Sequence, residues 1–398
     1  MKRKNRHLFI LIAAVLCLGA LFSGIVTADA NKAIKVNTTV KGKPEKKGAY
    51  DQYSFTLSSP GKVNLILGHE NEFNTKIYWT VELYASDLKT QLQTFNSIGT
   101  DTSLKGASLG LSAGQYYVRV YAGKDCSHEY SGKPYTLKVA YSASKTWEIE
   151  YNSASKQGND SQATATRMKL GEYSDGSVRN AQDVDFFQFT IPSRGYIQLG
   201  FAHTNVYDSK NTWSVKLINS KTETVYELLS KGTKTYRTSP KIGLSAGTYY
   251  LKVSGISSQF SDKDYHVRVN FKKTTKWEQE YSEKKHIYNS AMGSANTLKL
   301  NKTYQGTLSL KNDEDFFKFK LNSRKRVSVK FSHSYIAKRS RFWTVTLYDS
   351  QTRELKSFTS KGVQTTVTKN WMLNPGTYFI KVNKAKYWKN NIYKITLK

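Results

Sequence analysis

A chain of 398 residues is longer than one ordinary domain, so its length predicts two to four domains. Its 61 lysines and arginines against 30 acidic residues give a formal net charge of +31. Such a charge favours anionic partners, namely cell-wall polymers, acidic polysaccharides, lipid surfaces or, non-specifically, nucleic acid. The sequence has two cysteines, too few for a disulfide-stapled scaffold.

The first thirty residues have the pattern of a secretory signal peptide. Four basic residues lie within the first six, an apolar run covers 8–21, and Ala28-Asp29-Ala30 fits a small-x-small cleavage site. An uncleaved anchor is the alternative, but the apolar run is short for a bilayer span. We therefore predict a secreted, extracellular protein with no membrane span after cleavage. Cleavage would also remove Cys17, so Cys126 would be the one cysteine left, and we expect it to be partly buried and inert.

Three motifs recur along the rest of the chain at constant spacing, which indicates internal repetition. The first and second copies are 133 or 134 residues apart for every motif, and the second and third copies are 129 or 130 apart. After the signal peptide at 1–30, we predict three tandem domains at 31–143, 144–273 and 274–398, called repeats 1, 2 and 3. The motifs are Asp51–Leu57, Asp185–Ile191 and Asp315–Leu321; Trp79–Leu83, Trp213–Leu217 and Trp343–Leu347; and Leu111–Val118, Leu244–Leu251 and Leu373–Ile380.

Within each repeat, short runs of alternating apolar and polar residues, such as 63–67, predict half-buried β-strands. No long helical periodicity is present, and at most one short helix is expected, near 159–168. Several short strands per repeat suit an antiparallel β-sandwich, so we predict an all-β protein of three sandwiches. The tryptophan of each Trp-x-Val-x-Leu motif shares a face with the apolar residues after it and is expected in the core. His69, His203 and His333 are expected to be hydrogen-bonded structural residues.

In this order and spacing, the motifs resemble the bacterial pre-peptidase C-terminal (PPC) domain family, which includes the collagen-binding domains of secreted bacterial collagenases. The resemblance rests on Asp-Phe-Phe-x-Phe, the apolar strand after it, Trp-Thr-Val-x-Leu and Leu-x-x-Gly-x-Tyr-Tyr-Leu-x-Val, and it covers nearly all of 31–398. It implies a jelly-roll-like β-sandwich that assists an attached enzyme in substrate binding or secretion. This sequence departs from the family pattern because it shows no attached enzyme.

The resemblance also implies calcium, held in some members by an acidic linker before the first strand and by carboxylates at the Asp-Phe-Phe strand. Ca²⁺ prefers six to eight oxygen ligands. The sequence favours this site in repeat 2 over repeat 3, where Ser290 replaces Asp160, and predicts none in repeat 1. The alternative is that Glu148 and Glu278 pair with lysines on solvated loops. The implied ligands are Glu148, Glu150, Asn159, Asp160, Asp183 and Asp185 in repeat 2, and Glu278, Glu280, Asn289, Asp313 and Asp315 in repeat 3.

Basic residues concentrate in repeat 3, which has a net charge of +17 against +5 in repeat 1 and +6 in repeat 2. Basic side chains interleaved with aromatic rings suit an anionic polymer or sugar surface, since cations bind acidic groups and rings stack. A solvated charged face with a packed Trp388 is the alternative. The candidate binding residues form three clusters: Arg324, Lys325 and Arg326; Lys338, Arg339 and Arg341; and Lys384, Lys386, Tyr387, Trp388 and Lys389.

Sequence signatures of common catalytic sites are absent: there is no Gly-x-Ser-x-Gly elbow, His-Glu-x-x-His helix or phosphate-binding glycine loop. We therefore expect no enzyme. The sequence favours a secreted, monomeric binding or adhesion protein that docks on an extracellular polymer, either matrix protein or polysaccharide. One alternative is a cell-envelope protein retained non-covalently on a polyanion by the basic repeat 3. A cryptic secreted hydrolase is the other alternative, which the sequence disfavours.

Overall fold

The structure, a computed structural model, describes residues 31–398, and the signal peptide predicted at 1–30 lies outside the described residues. The all-β sandwich fold predicted from the sequence is confirmed. Over 31–398, helical structure is confined to two 3-10 turns, Gln162–Thr164 and Met292–Ser294. The short helix considered near 159–168 is thus one such turn, Gln162–Thr164, whose three residues are not buried.

The chain divides into two compact units. Unit 1 comprises 31–56, 65–106 and 115–140, and unit 2 comprises 57–64, 107–114 and 141–398. Most of repeat 1 therefore belongs to unit 1, whereas repeats 2 and 3 lie wholly in unit 2.

Repeat 1 contains ten strands in two sheets. The strands are β1 (Lys32–Ala33), β2 (Thr39–Gly42), β3 (Tyr50–Leu57), β4 (Gly61–His69), β5 (Ile77–Tyr84), β6 (Gln91–Ile98), β7 (Ser103–Lys105), β8 (Leu109–Leu111), β9 (Gly114–Ala122) and β10 (Tyr135–Ala143). One sheet has the order β1-β3-β9-β5-β6, and the other has the order β2-β10-β4-β7, with β8 also paired to β4.

Repeat 2 has the same arrangement. Its strands are β11 (Thr166–Arg167), β12 (Tyr173–Gly176), β13 (Val184–Ile191), β14 (Gly195–His203), β15 (Asn211–Ile218), β16 (Thr224–Lys231), β17 (Tyr236–Thr238), β18 (Ile242–Leu244), β19 (Gly247–Gly255) and β20 (Tyr265–Lys273). The sheet orders are β11-β13-β19-β15-β16 and β12-β20-β14-β18, and β17 also pairs with β14.

Repeat 3 begins with two short linker strands and then repeats the pattern. Its strands are β21 (Tyr281–Ser282), β22 (Ile287–Tyr288), β23 (Asn296–Thr297), β24 (Thr303–Gly306), β25 (Glu314–Leu321), β26 (Lys325–His333), β27 (Arg341–Tyr348), β28 (Glu354–Lys361), β29 (Thr366–Leu373), β30 (Gly376–Lys384) and β31 (Tyr393–Leu397). Its sheets have the orders β23-β25-β30-β27-β28 and β24-β31-β26-β29. The linker strand β21 pairs with β18, so the second sheet of repeat 2 continues into repeat 3.

Some short strands depart from the predicted antiparallel arrangement: β21 pairs in parallel with β18, and each repeat has one further example. Strands β1, β11 and β23 pair in parallel with β3, β13 and β25. The parallel direction is possible because the chain passes through the opposite sheet, as β2, β12 or β24, between the two paired strands.

The cores follow the alternation in the sequence. Trp79, Trp213 and Trp343 each occupy the third position of β5, β15 and β27, and each is at most 1% exposed. Their predicted core positions are confirmed. Repeats 2 and 3 each bury their own hydrophobic cluster, as expected for domains of this size.

The polar loop between β9 and β10 carries Cys126, which is exposed, so the expectation of a partly buried thiol is wrong. The loop position explains the difference, since the alternation that buries strand residues ends before it. Across 31–398 the structure holds no helix with the length and hydropathy to cross a bilayer.

Candidate metal centres and a basic groove

The implied calcium ligands of repeat 3 converge where β25 begins. Asp315 is the second residue of this strand. Glu278 and Glu280 approach it from the linker, the segment between the end of β20 and the start of β23. One carboxylate oxygen from each of these three residues lies within 4.8 Å of the other two. The remaining ligand candidates, Asp313 and Asn289, complete the cluster: burial and the negative charge of Asp313 raise the pKa of Glu280, and the Asn289 amide contacts both Glu278 and Asp315.

Two hydrogen-bond donors hold Asp315 in place. The Asn289 amide nitrogen donates to Asp315 Oδ1 at 2.7 Å and to Glu278 Oε2 at 3.0 Å. The Tyr393 hydroxyl donates to Asp315 Oδ2 at 2.6 Å. The linker is also tied to the strand by its backbone, because the amide of Phe316 donates to the carbonyl of Asn289 at 3.0 Å.

The repeat 3 cluster has the chemistry of a cation site. Burial raises the pKa of Glu278, Glu280 and Asp315 well above their ordinary values, and it raises the pKa of Asp313 to about 6. Glu280 Oε2 and Asn289 Oδ1 are buried without a hydrogen-bond partner among the described residues. Carboxylate and amide oxygens are the ligands that Ca²⁺ prefers, so these residues fit calcium.

Repeat 2 brings together all six of its implied ligands. Oxygens of Glu148, Glu150 and Asp185 lie within 4.8 Å of one another, as do those of Glu150, Asp160 and Asp183. Asn159 lies between Glu148 and Asp185, with its amide nitrogen 3.3 and 3.5 Å from their oxygens. The alternative from the sequence, in which Glu148 and Glu278 face solvent, is wrong: each is 1% exposed.

A guanidinium group enters the repeat 2 cluster. Arg179 forms ion pairs with Glu150 and with Asp183, and its Nε lies 3.3 Å from Asp183 Oδ2. Burial raises the pKa of Glu148 to about 8 and that of Glu150 well above its ordinary value, and Arg179 opposes the rise at Glu150. Glu150 Oε2 and Asn159 Oδ1 lack a partner within the described part of the chain, as in repeat 3. The cluster nevertheless fits calcium less well, because a buried cation already binds two of the carboxylates.

Repeat 1 retains only the strand aspartate. The Tyr135 hydroxyl donates to Asp51 Oδ2 at 2.7 Å, as its counterparts do in the other repeats. The other oxygen of Asp51 is 3.2 Å from the ammonium of Lys32. Both oxygens of Asp51 thus have partners within repeat 1, and the absence of a calcium site there stays a prediction.

The linker that supplies the repeat 3 ligands also packs on repeat 2. Gly243 of β18 lies so close to it that a Cβ there would be 1.7 Å from the carbonyl oxygen of Glu278. Nearby, Arg194 donates from Nη2 to the carbonyl oxygen of Trp277 at 2.8 Å and to Asn296 Oδ1 at 2.9 Å. A cation bound by Glu278 and Glu280 would therefore hold in place the same backbone segment that packs on repeat 2.

The three basic clusters of repeat 3 are mostly exposed, and the fold separates the first of them from the other two. Strand β26 begins at Lys325 and ends at His333, so the cluster at 324–326 lies roughly 26 Å from the loop that follows the strand. Arg339 of that loop and Arg341, the first residue of β27, meet Lys386 and Tyr387 in a groove of about 600 Å³.

This basic groove has one further basic residue, Lys361, and its lining is completed by Ser340, Thr344, Thr359 and Ala385. The amide of Tyr387 donates to the carbonyl oxygen of Arg341 at 3.1 Å, which holds the two loops together. Trp388 is 38% exposed and donates from Nε1 to the carbonyl oxygen of Leu308 at 3.1 Å.

Comparison with known proteins gives similarity only to solved structures: no family model matches the chain, and no curated protein does. The chain is similar to the pre-peptidase C-terminal domain of collagenase from Bacillus anthracis, with 23% identity over 27% of this chain and 93% of that one, and a TM-score of 0.22. It is also similar to the N-terminal CBM22-1-CBM22-2 tandem domain of Xyn10C from Paenibacillus barcinonensis, with 10% identity over 56% and 82% of the two chains and a TM-score of 0.19. The CUB1-EGF-CUB2 domains of rat MASP-1 show 9% identity over 60% and 99%, with a TM-score of 0.19.

Sequence reasoning missed five residues of these sites. Arg179 and Lys32 supply cations in repeats 2 and 1, and Tyr135, Tyr265 and Tyr393 donate to the strand aspartates. The repeat spacing could have indicated the role of Arg179. A step of 130 residues aligns Arg179 with Ser309, so repeats 2 and 3 differ at this position although the acidic residues near it match.

Proposed function

We propose that this protein is an extracellular, non-catalytic binding protein that holds an anionic polymer in the basic groove of repeat 3. The observation that carries the proposal is the convergence of Arg339, Arg341, Lys361 and Lys386 around one groove with Tyr387 at its wall. The residues lining the groove include no acidic side chain. Their positive charge is therefore available to a ligand.

The chemistry of the groove suits repeated carboxylate, sulfate or phosphate groups. Guanidinium groups bind such anions through two parallel hydrogen bonds, and lysines add point charges. The counterparts of Arg339 and Arg341 at the repeat spacing are Ser209 and Asn211 in repeat 2. The groove chemistry therefore belongs to repeat 3, in agreement with its larger net charge.

The buried serine–histidine pairs of the three repeats support the non-catalytic part of this proposal. Each repeat places a serine hydroxyl within 3.1 Å of a histidine Nε2, at Ser97–His69, Ser230–His203 and Ser360–His333. All three serines are 0% exposed. A nucleophile must reach its substrate, so these pairs support packing rather than the hydrolase alternative.

Polymer retention on an immobilised sulfated polysaccharide tests the proposal. The variant Arg339→Glu, Arg341→Glu, Lys361→Glu, Lys386→Glu should lose retention at low salt. The matched control Lys320→Glu, Arg324→Glu, Lys325→Glu, Arg326→Glu carries the same charge change around the turn between β25 and β26 and should keep most of it. Wild-type retention should vanish by about 0.5 M NaCl because screening shortens the Debye length to a few Å. Equal loss in both variants, or retention that resists salt, would contradict the proposal.

We also propose that repeat 3 binds one calcium ion through Glu278, Glu280, Asn289, Asp313 and Asp315. Support comes from the buried, unpartnered oxygens of Glu280 and Asn289. When bound, the ion would supply positive charge that holds the linker against β25. A chelator should lower the melting temperature of the full chain, and added calcium should restore it. A melting temperature that is independent of both would contradict calcium binding.

A further inference from the structure

We infer that Arg179 takes the place of the metal ion in repeat 2, so that repeat 3 alone binds calcium. The inference rests on the calcium proposal above for the identity of the ion. It reverses the order favoured by the sequence, in which the additional carboxylate of Asp160 made repeat 2 the better candidate. The structure shows a cation already paired with Glu150 and Asp183 there.

The two sites have the same backbone at this point. The amide of Arg179 donates to Asp183 Oδ2 at 2.6 Å, and the amide of Ser309 donates to Asp313 Oδ2 at 2.6 Å. The side chains then differ. The Ser309 hydroxyl lies 3.2 Å from Asp313 Oδ2, whereas the longer Arg179 side chain also reaches Glu150 on the linker.

In repeat 2 the guanidinium therefore joins Glu150 of the acidic linker to Asp183, which directly precedes β13. A metal ion would make the equivalent connection in repeat 3. The guanidinium is permanently charged, and the Arg179 side chain is only 20% exposed. Burial leaves its charge poorly screened, so it repels a divalent cation placed beside Glu150. The unpartnered oxygens of repeat 2 remain, but calcium would first have to displace Arg179.

Repeat 1 gives an independent example of the same exchange. Its strand aspartate, Asp51, receives a tyrosine hydroxyl on one oxygen and the Lys32 ammonium on the other. The aspartate–tyrosine pair is thus common to all three repeats, at 2.7, 2.6 and 2.6 Å. Among the described residues, a lysine binds the strand aspartate in repeat 1, and an arginine binds two other carboxylates of the cluster in repeat 2. Repeat 3 has four converging carboxylates and a serine at the position of that arginine.

Calcium stoichiometry of the full chain, measured by titration calorimetry, tests the inference. Wild-type protein should bind one ion, Arg179→Ser should bind two, and Ser309→Arg should bind none. Arg167→Ser, which removes an exposed arginine of repeat 2, and Ser323→Arg, which adds one to a turn of repeat 3, are the matched controls and should each bind one.

Two ions in the wild-type protein, an Arg179→Ser variant that binds no more ions than the wild type, or an ion that persists in Ser309→Arg would overturn the inference. No ion in the wild-type protein and one in Arg179→Ser would support the role of Arg179 while overturning calcium binding by repeat 3. The wild-type measurement needs no substitution, so it decides between one and two sites even where a variant does not fold.

Discussion

The imidazole of His333 stacks on the indole of Trp343, with ring centroids 4.0 Å apart and planes inclined by 29°. The same pair recurs in repeats 1 and 2, at 3.9 and 4.0 Å. In repeat 3 both ring nitrogens are engaged, since Nε2 lies 2.9 Å from Ser360 Oγ and Nδ1 lies 2.8 Å from the carbonyl oxygen of Ser334. This agrees with the predicted structural role of the three histidines and places equivalent residues of each repeat in one packing arrangement.

Truncation of Trp343 to alanine should destabilise repeat 3 by about 3–5 kcal/mol, because it removes a fully buried ring and leaves a cavity. The half-exposed Trp388 is the control, and its truncation should cost about 1 kcal/mol, the value of one hydrogen bond. Urea unfolding followed by tryptophan fluorescence and circular dichroism measures both. Equal costs would show that the Trp343 ring is not part of the core.

Loss of the Tyr393 hydroxyl should weaken repeat 3 when calcium is absent. Tyr393→Phe leaves Asp315 Oδ2 without the donor that lies 2.6 Å away, and removing one partner of a buried hydrogen bond costs about 1–3 kcal/mol. Tyr335→Phe is a suitable control because Tyr335 is 65% exposed. Thermal unfolding in the presence of a chelator should show a lower melting temperature for the first variant only.

A methyl group at Gly243 should disrupt the junction between repeats 2 and 3. The added Cβ would lie 1.7 Å from the carbonyl oxygen of Glu278, a distance at which the linker must move. We expect Gly243→Ala to destabilise the protein by more than about 2 kcal/mol. At Gly293 nothing lies within 4 Å of such a Cβ, so Gly293→Ala should be neutral or stabilise by up to about 1 kcal/mol. Similar unfolding curves for the two variants would contradict the close contact.

Stability should depend on pH through His266, whose Nδ1 lies 2.5 Å from Asp175 Oδ1. That hydrogen bond raises the pKa of His266; partial burial and the charge of Lys62 oppose the rise, whereas Asp264 adds to it. A folded-state pKa above 6.5 means that the contribution is fully present below pH 6.5 and is lost as the pH rises through the raised pKa. His266→Gln should therefore lower stability at pH 6 and have little effect at pH 9. Because the ring is about half exposed, we expect only a few tenths of a kcal/mol. An effect larger at pH 9 would contradict the assignment.

The sequence predicted what depends on local periodicity. Alternation placed Trp79, Trp213 and Trp343 in the cores, and the constant spacing of the motifs is matched by β3, β13 and β25, which begin 134 and 130 residues apart. The resemblance to PPC domains supplied the ligand set, and the structure brings those side chains together.

The sequence did not predict contacts that depend on how loops close. Arg179 is 29 residues from Glu150, and only the fold shows that its guanidinium reaches that carboxylate. The sequence did not show which of the three basic clusters come together, and it is the length of β26 that separates residues 324–326 from the groove. Exposure of Cys126 likewise depends on the loop between β9 and β10 rather than on any periodic pattern.

Hydrogen–deuterium exchange of the full chain, with and without a soluble sulfated polysaccharide, tests most directly where a polymer binds. The account predicts slower exchange at 338–341, 359–361 and 384–389, which surround the basic groove, and unchanged exchange at 322–326 around the start of β26. Protection confined to 322–326, or to repeats 1 and 2, would contradict it.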